Sequence, residues 1–127
     1  MMNQNIYTIG VDVGSSIIKA ILMSDNGEPC IIDHQMEKIR KRNPEMVADQ
    51  LIDLILEKNN LRYQDVAYLA STGEGEMLQR KRGHFYSMTT HARGGVFLCP
   101  GSLTVIDMGA LYVRAIKINE LGRVRLN

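Results

Sequence analysis

Two stretches of the chain follow the same plan, and this repetition constrains the fold more than any other feature of the sequence. The first is IGVDVGSSIIKAIL, residues 9–22, and the second is LTVIDMGALYVRAIKI, residues 103–118. Each has an aspartate near the end of an apolar run, then a glycine and a turn, then a basic residue that leads into another apolar run. Apolar, β-branched runs joined by a short turn predict a β-hairpin in each stretch.

The spacing within the two hairpins is also the same. Lys19 lies seven residues after Asp12, and Arg114 lies seven residues after Asp107. An acid inside an apolar strand costs stability unless a partner or a ligand requires it. Glycine and small residues after the acid let backbone N–H groups face a phosphate, and carboxylates can hold a hydrated Mg²⁺. One such hairpin is consistent with an ordinary turn, but two predict facing halves that close on one phosphate chain.

The segments between the hairpins predict an α/β domain. Strands at residues 6–13 and 16–23, followed by a third at 28–39, predict an antiparallel meander. A buried strand at residues 65–72 and a short strand HFYSM at 84–88 then alternate with helices.

The sequence predicts two helices. Asn43 is a favoured N-cap and Pro44 suits the first helical position, so a helix is expected from there to about residues 58–60. Its predicted apolar face consists of Val47, Leu51, Leu54 and Ile55. A second helix is expected at residues 89–98, although Gly94 and Gly95 each cost about 1 kcal/mol there unless close packing requires them.

Composition narrows the classes of protein. The net charge of +1 gives no electrostatic case for binding nucleic acid or an anionic membrane. No apolar run approaches the roughly twenty residues of a membrane span, and the N-terminal residues do not resemble a signal peptide, so a cytoplasmic protein is expected. Cys30 and Cys99 show no metal-ligand spacing and are expected to be reduced thiols.

Four motifs carry a family resemblance: GVDVGSSIIKAIL, ASTGEGE, HFYSMTTHARGGVFL and TVIDMGALYVRAI. The hairpins resemble those of the acetate kinase, sugar kinase, Hsp70 and actin superfamily. Within it, the chain is similar to the family of benzoyl-CoA reductase ATPase subunits and activators of 2-hydroxyacyl-CoA dehydratases. Glu74-Gly75-Glu76 and Ala110-Leu111-Tyr112 stand where an activator would have an aromatic residue and a Gly-Gly-Gln-Asp-type sequence. These departures favour a D-type or Q-type ATPase of the reductase.

The resemblance implies a ribonuclease H-like, actin/Hsp70-type ATPase fold with a mixed sheet, in which antiparallel strands are followed by parallel strands flanked by helices. Residues 1–101 would be a first ATPase domain, and residues 102–127 the opening hairpin of a second domain that is otherwise missing. Family members are about twice as long. A fragment of this kind is expected to bind ATP weakly and to hydrolyse it negligibly, and its exposed strand edges would favour a homodimer.

The resemblance also assigns site residues. Asp12 and Asp107 would be the catalytic carboxylates that hold Mg²⁺ and orient the attacking water. The residues that bind the phosphates of ATP would be Gly14, Ser15, Ser16, Lys19, Thr72, Gly73, Gly109 and Ala110. Glu74 is left open between a polarising acid and a helix-start residue. His91 is expected to be a helix-terminus or packing residue, His84 an ordinary surface or turn residue, and Tyr86 to pack between strand and helix.

The implied function is ATP-driven electron transfer. Such a subunit takes an electron from reduced ferredoxin through a 4Fe-4S cluster held between two ATPase subunits, and ATP hydrolysis passes it at low potential to the subunits that reduce an aromatic acyl-CoA. Neither Cys30 nor Cys99 matches a cluster position. The alternatives are a dehydratase activator, a small sugar-kinase-like phosphotransferase, for which no complete set of catalytic residues can be assigned, and a non-catalytic docking module.

Overall fold

A mixed five-stranded sheet forms the first part of the chain. The computed structural model describes residues 5–125. The strands are β1 (Ile6–Val13), β2 (Ile17–Asp25), β3 (Pro29–Lys38), β4 (Val66–Gly73) and β5 (Gly83–His84). They lie in the order β3-β2-β1-β4-β5, antiparallel from β1 to β3 and parallel between β1, β4 and β5. The predicted α/β fold with a mixed sheet is confirmed.

One face of this sheet is covered by α1 (Pro44–Lys58). Alternate residues of β1 are buried on that face, namely Ile9, Val11 and Val13. Because side chains alternate across a strand, Asp12 lies on the opposite face of β1. The acid therefore interrupts the apolar sequence without entering the core beneath α1.

The ends of α1 follow local chemistry, as predicted. The Asn43 side chain accepts a hydrogen bond from the Met46 backbone N–H at 3.1 Å, and Pro44 is the first helical residue. The buried face of α1 consists of Val47, Ala48, Leu51, Ile52, Ile55 and Leu56. Leu54 was wrongly assigned to this face. It is 38% exposed, because the buried stripe is centred one residue away from it.

The loop after β4 is held against α1 by Arg80. Its guanidinium makes ion pairs with Asp49 at 3.1 Å and Asp53 at 2.7 Å, and it lies 5.8 Å from the centroid of the Tyr63 ring. The Tyr63 hydroxyl also donates to the Arg80 carbonyl at 2.7 Å. Arg80 therefore fixes the segment that connects β4 to β5.

The remaining elements are α2 (Ser87–Leu98), β6 (Thr104–Met108) and β7 (Val113–Lys117). Strands β6 and β7 form the second predicted hairpin, and α2 packs on it. A Cβ atom on Gly95 would lie only 2.6 Å from Val105 Cγ2, so close packing between α2 and β6 requires that glycine. In the part of the chain that the structure describes, no helix is long and apolar enough to cross a membrane.

The prediction of a strand at residues 84–88 is wrong. Pairing with β4 ends at His84, and the helix begins at Ser87, two residues earlier than expected. Tyr86 is 85% exposed, so it does not pack between strand and helix. The length of this strand is set by tertiary pairing with β4, which sequence periodicity does not report.

The chain divides into two compact units between His84 and Phe85. Helix α2 belongs to the second unit, together with β6 and β7. The assignment of residues 1–101 and 102–127 to a first and a second ATPase domain stays a prediction. It placed the division after α2, at the Cys99-Pro100-Gly101 sequence.

Candidate functional site

Within the first unit, predicted site residues meet where two parallel strands end. Asp12 of β1 pairs in register with Thr72 of β4, and Val13 pairs with Gly73. Crevices at the carboxyl ends of parallel strands are common ligand sites in α/β sheets. Lys19 is opposite Asp12 on the antiparallel strand β2, so both side chains project from the same face. The first unit thus brings together Asp12, Gly14, Ser15, Ser16, Lys19, Thr72 and Gly73.

The turn between β1 and β2 needs its glycine. The Gly14 N–H donates to the Ile17 carbonyl at 3.0 Å, and a Cβ on Gly14 would lie 2.7 Å from that oxygen. Ser15 and Ser16 between them are exposed. Their side chains are therefore open to solvent at this turn, and their role in phosphate binding stays a prediction.

Gly73 brings the end of β4 against the acid. It has a φ of +66°, and a Cβ there would lie 2.5 Å from the Val13 carbonyl oxygen and 2.9 Å from Asp12 Oδ1. The next backbone N–H, from Glu74, donates to that carbonyl at 2.8 Å. The Glu74 side chain is exposed and caps no helix, although the residue directly precedes a short 3-10 helix at Gly75–Met77. Glycine at position 73 therefore lets the chain turn sharply beside Asp12.

Another polar contact lies next to Thr72 in β4. The Ser71 hydroxyl is 2.8 Å from Nδ1 of His84, and Ser71 is only 2% exposed. His84 therefore pairs with a buried hydroxyl in β4, which the expectation of an ordinary surface or turn residue did not include.

Within the second unit, the hairpin of β6 and β7 repeats the geometry of the first hairpin. Asp107 pairs with Arg114 in the antiparallel register, as Asp12 pairs with Lys19. The Gly109 N–H donates to the Tyr112 carbonyl at 2.8 Å, which matches the closing bond of the Gly14 turn. The equivalence predicted from sequence spacing therefore extends to strand register and turn hydrogen bonding.

The two turns differ in how tightly they are built. A Cβ on Gly109 would meet its nearest neighbour at 3.8 Å, which is ordinary contact, whereas Gly14 has no such room. Ala110 and Leu111 occupy the positions of Ser15 and Ser16 and are exposed. The second turn can therefore offer backbone N–H groups to a phosphate, but it has no hydroxyls at the positions of Ser15 and Ser16.

Asp107 is held by two basic side chains. Nδ1 of His91 lies 2.8 Å from Asp107 Oδ2, and Nε of Arg114 lies 2.9 Å from the same oxygen. Burial raises the pKa of Asp107, but the hydrogen bonds and charges of His91 and Arg114 outweigh this and hold it below its ordinary value of 3.8. Asp107 is therefore ionised near neutral pH.

The contact of His91 with Asp107 was not predicted from the sequence. His91 lies in the second turn of α2, sixteen residues before Asp107, and was expected to have a terminal or packing role. The sequence feature that could have indicated this contact is the polar stretch THAR, which lies in a predicted helix that also contains two glycines. Gly95 permits close approach of α2 to the hairpin, and this approach places His91 beside Asp107.

The two implied inorganic groups fit the chain differently. Mg²⁺ is commonly held by one or two carboxylates together with substrate phosphates, and Asp12 and Asp107 provide carboxylates of this type. An iron–sulfur cluster needs several thiolates. Cys30 is the second residue of the edge strand β3 and Cys99 follows α2, and residues 5–125 contain no group of three or more candidate ligands. The described residues thus suit Mg²⁺ and do not provide a cluster site.

The sheet order and the paired Asp-x-Gly hairpins define an actin-like ATPase fold. The chain belongs to the BadF/BadG/BcrA/BcrD ATPase family, whose model matches residues 9–126.

Curated relatives include both branches of that family. Over 92% of its length, the chain is 43% identical to the D-type subunit of benzoyl-CoA reductase of Thauera aromatica, and it covers 42% of that protein. Over 94% of its length, it is 26% identical to the activator of lactoyl-CoA dehydratase of Anaerotignum propionicum and covers 45% of it. The chain therefore spans less than half the length of these relatives.

Solved structures agree with this assignment. The component A of (R)-2-hydroxyglutaryl-CoA dehydratase from Acidaminococcus fermentans superposes with a TM-score of 0.83 at 28% identity, over 94% of this chain and 45% of that one. The activator of 2-hydroxyisocaproyl-CoA dehydratase from Clostridium difficile, solved with bound ADPNP, gives 0.82 at 23% identity, over 94% and 43%. The second likeness concerns the fold alone.

Proposed function

We propose that this chain is the nucleotide-binding first part of an ATPase subunit that couples ATP hydrolysis to low-potential electron transfer, of the kind that serves benzoyl-CoA reductase. The observation that carries the proposal is the matched pair of Asp-x-Gly hairpins in a member of an ATPase family. The 43% identity to a benzoyl-CoA reductase subunit supports reduction of an aromatic acyl-CoA as the process served.

The residues of the first unit would receive the phosphates of ATP. Ser15 and Ser16 would donate hydrogen bonds from the turn that Gly14 closes after β1, and Lys19 would contribute a positive charge from the same face. Thr72 and Gly73 would line the crevice at the end of β4. These groups bind and orient the phosphate chain.

The second hairpin would complete the phosphate site in the full-length protein. Ala110 would offer a backbone N–H group from the turn that Gly109 closes, while the carboxylates of Asp12 and Asp107 would hold Mg²⁺ and orient the attacking water. Bound Mg²⁺ supplies neutralisation of the charge that develops on the phosphates. In this proposal, residues 1–101 form the first ATPase domain and residues 102–127 begin the second.

The partners follow from the same proposal. They are a second ATPase subunit, the substrate-reducing subunits, and ferredoxin as electron donor, in the cytoplasm. A 4Fe-4S cluster would be bound by residues outside the described part of the chain, since residues 5–125 do not provide a site for it. On its own, the chain is proposed to hydrolyse ATP negligibly and to pair with a second copy through exposed strand edges.

Activation of a 2-hydroxyacyl-CoA dehydratase is the second candidate function. The fold match to the Acidaminococcus fermentans component A favours it, because 94% of this chain superposes on that protein. Against it stand the lower sequence identity of 28% and the Ala110-Leu111-Tyr112 sequence in the second turn. Reconstitution of the full-length protein with each type of partner would distinguish them, since only the correct partner should consume ATP in step with substrate reduction.

Calorimetry with ATP and ADP, with and without Mg²⁺, tests nucleotide binding directly. Wild-type chain should bind ATP with Mg²⁺, and Asp12→Asn should lose most of the affinity that Mg²⁺ contributes. Glu28→Gln, an exposed acid at the other end of the β2–β3 hairpin, is the control and should bind as wild type does. A folded wild-type chain that binds neither nucleotide would contradict the proposal for this chain and leave a docking module as the better interpretation.

A further inference from the structure

Both basic partners of Asp107 use one oxygen of its carboxylate. His91 Nδ1 and Arg114 Nε lie 2.8 and 2.9 Å from Oδ2. Arg114 donates a hydrogen bond to Oδ2 and His91 forms an ion-pair contact with it, and neither of these contacts uses Oδ1. The two oxygens of Asp107 thus have different surroundings.

The contact with His91 is made by a buried ring nitrogen. Nδ1 of His91 is shielded from solvent, and it lies 2.8 Å from Oδ2 of Asp107. At that distance a hydrogen on Nδ1 would face the carboxylate, which accepts hydrogen bonds when it is ionised. A histidine that donates to a ligating carboxylate in this way acts on the orientation of that carboxylate.

Arg114 is itself fixed on both sides. Its Nη2 donates to the Ser87 hydroxyl at 2.8 Å, at the first residue of α2. Its guanidinium carbon lies 5.1 Å from the centroid of the Tyr112 ring, in the hairpin turn. Arg114 therefore approaches Asp107 from a defined direction, and it connects the start of α2 to the hairpin.

We propose that His91 and Arg114 are positioning residues that bind Oδ2 of Asp107 and thereby leave Oδ1 as the oxygen that serves Mg²⁺ and the attacking water. The proposal rests on the role of Asp107 proposed above. Truncation of such supporting residues typically lowers metal affinity about tenfold or more.

Histidine ring NMR tests the geometry without any nucleotide. Long-range ¹H–¹⁵N spectra should show that Nδ1 of His91 is protonated, and the signal should change in Asp107→Asn. His34, which is exposed, is the internal reference, and loss of the signal in His91→Asn gives the assignment. A neutral His91 with its hydrogen on Nε2 would overturn the proposal.

Binding of ADPNP with and without Mg²⁺ tests the consequence. His91→Ala should reduce the gain in affinity from Mg²⁺ about tenfold while affinity without Mg²⁺ is unchanged. His91→Asn should retain most of the gain, because an asparagine amide can donate from nearly the position of Nδ1. Arg93→Ala, an exposed cation on the same helix, is the control and should behave as wild type.

The outcomes separate this proposal from the proposed function. If His91→Asn loses the Mg²⁺ effect as fully as His91→Ala while both remain folded by circular dichroism, the positioning role is overturned and His91 only packs. If His91→Ala keeps the full Mg²⁺ effect, the proposal is also overturned. If wild-type chain binds no nucleotide, the proposed function fails for this chain, and the NMR spectra alone decide whether Asp107 is held as described.

Discussion

Asp12 lies directly opposite Lys19 in the antiparallel pair of strands β1 and β2. The same relationship recurs between Asp107 and Arg114 across β6 and β7, and both turns are closed by a hydrogen bond from the glycine N–H. Sequence spacing and three-dimensional register therefore describe the same repeated hairpin. The acid and the base of each hairpin project from one face, which suits a ligand with phosphates and a bound cation.

Replacement of Lys19 tests the basic residue of the first hairpin. Lys19→Ala should weaken ATP binding about 10- to 150-fold, because a charge-assisted hydrogen bond to a phosphate is worth about 1.5–3 kcal/mol. AMP, with fewer phosphate charges, should be affected less. The measurement is calorimetry of both nucleotides, with Lys58→Ala, an exposed cation at the end of α1, as the control. If both substitutions weaken ATP binding equally, the loss reflects the change in net charge of the protein and not a contact made by Lys19.

A methyl group at Gly73 tests the close approach of β4 to Asp12. Gly73→Ala should lower the free energy of unfolding by about 2 kcal/mol or more, because φ is +66° and the new Cβ would lie 2.5 Å from the Val13 carbonyl oxygen. Urea unfolding monitored by circular dichroism measures this. Gly27→Ala is the control for positive φ alone, since nothing lies within 4 Å of its Cβ position. It should cost less than Gly73→Ala.

The adjacent glycines of α2 provide a matched pair. Gly94→Ala should stabilise the helix by about 1 kcal/mol, because its Cβ would meet nothing within 4 Å. Gly95→Ala gains the same helix propensity but forces a contact of 2.6 Å with Val105, and such overpacking costs about 1–3 kcal/mol. Thermal unfolding should therefore move in opposite directions. If both variants are stabilised, α2 does not pack on β6 as closely as described.

Acid should weaken the second unit through Asp107. The pKa of Asp107 is lowered in the folded state below the ordinary 3.8, so its ionisation stabilises the fold above pH 3.8, and this stabilisation is lost as pH falls through the folded pKa. Urea unfolding between about pH 6 and pH 2.5 should show this loss. In Asp107→Asn, that part of the pH dependence should be absent. If the free energy of unfolding of Asp107→Asn depends on pH as that of wild type does, His91 and Arg114 do not act on an ionised Asp107.

The sequence was most informative where structure depends on local chemistry. Asn43 and Pro44 predicted the start of α1 correctly, because capping and the fixed φ of proline act within a few residues. The alternation of β1 and the two glycine turns were equally local, and they located Asp12 and Asp107 in equivalent hairpins.

Contacts between distant residues could not be predicted in the same way. The pairing of His91 with Asp107 depends on how closely α2 approaches β6, and the end of β5 at His84 depends on pairing with β4. The exposure of Leu54 shows the same limit, since four apolar residues on α1 could define two adjacent faces. Periodicity reports which residues share a face, whereas the packing partner decides where the buried stripe is centred.

The positions of the two cysteines make the chain well suited to distance measurements by fluorescence. Cys30 and Cys99 are both exposed, and one lies in each compact unit. Cys30 pairs with Ser24, seven residues along β2 from Ile17 at the turn after β1, which is roughly 23 Å at about 3.3 Å per residue. Dyes on these native thiols would report any change in the separation of the two units when nucleotide is added, without any substitution near Asp12 or Asp107.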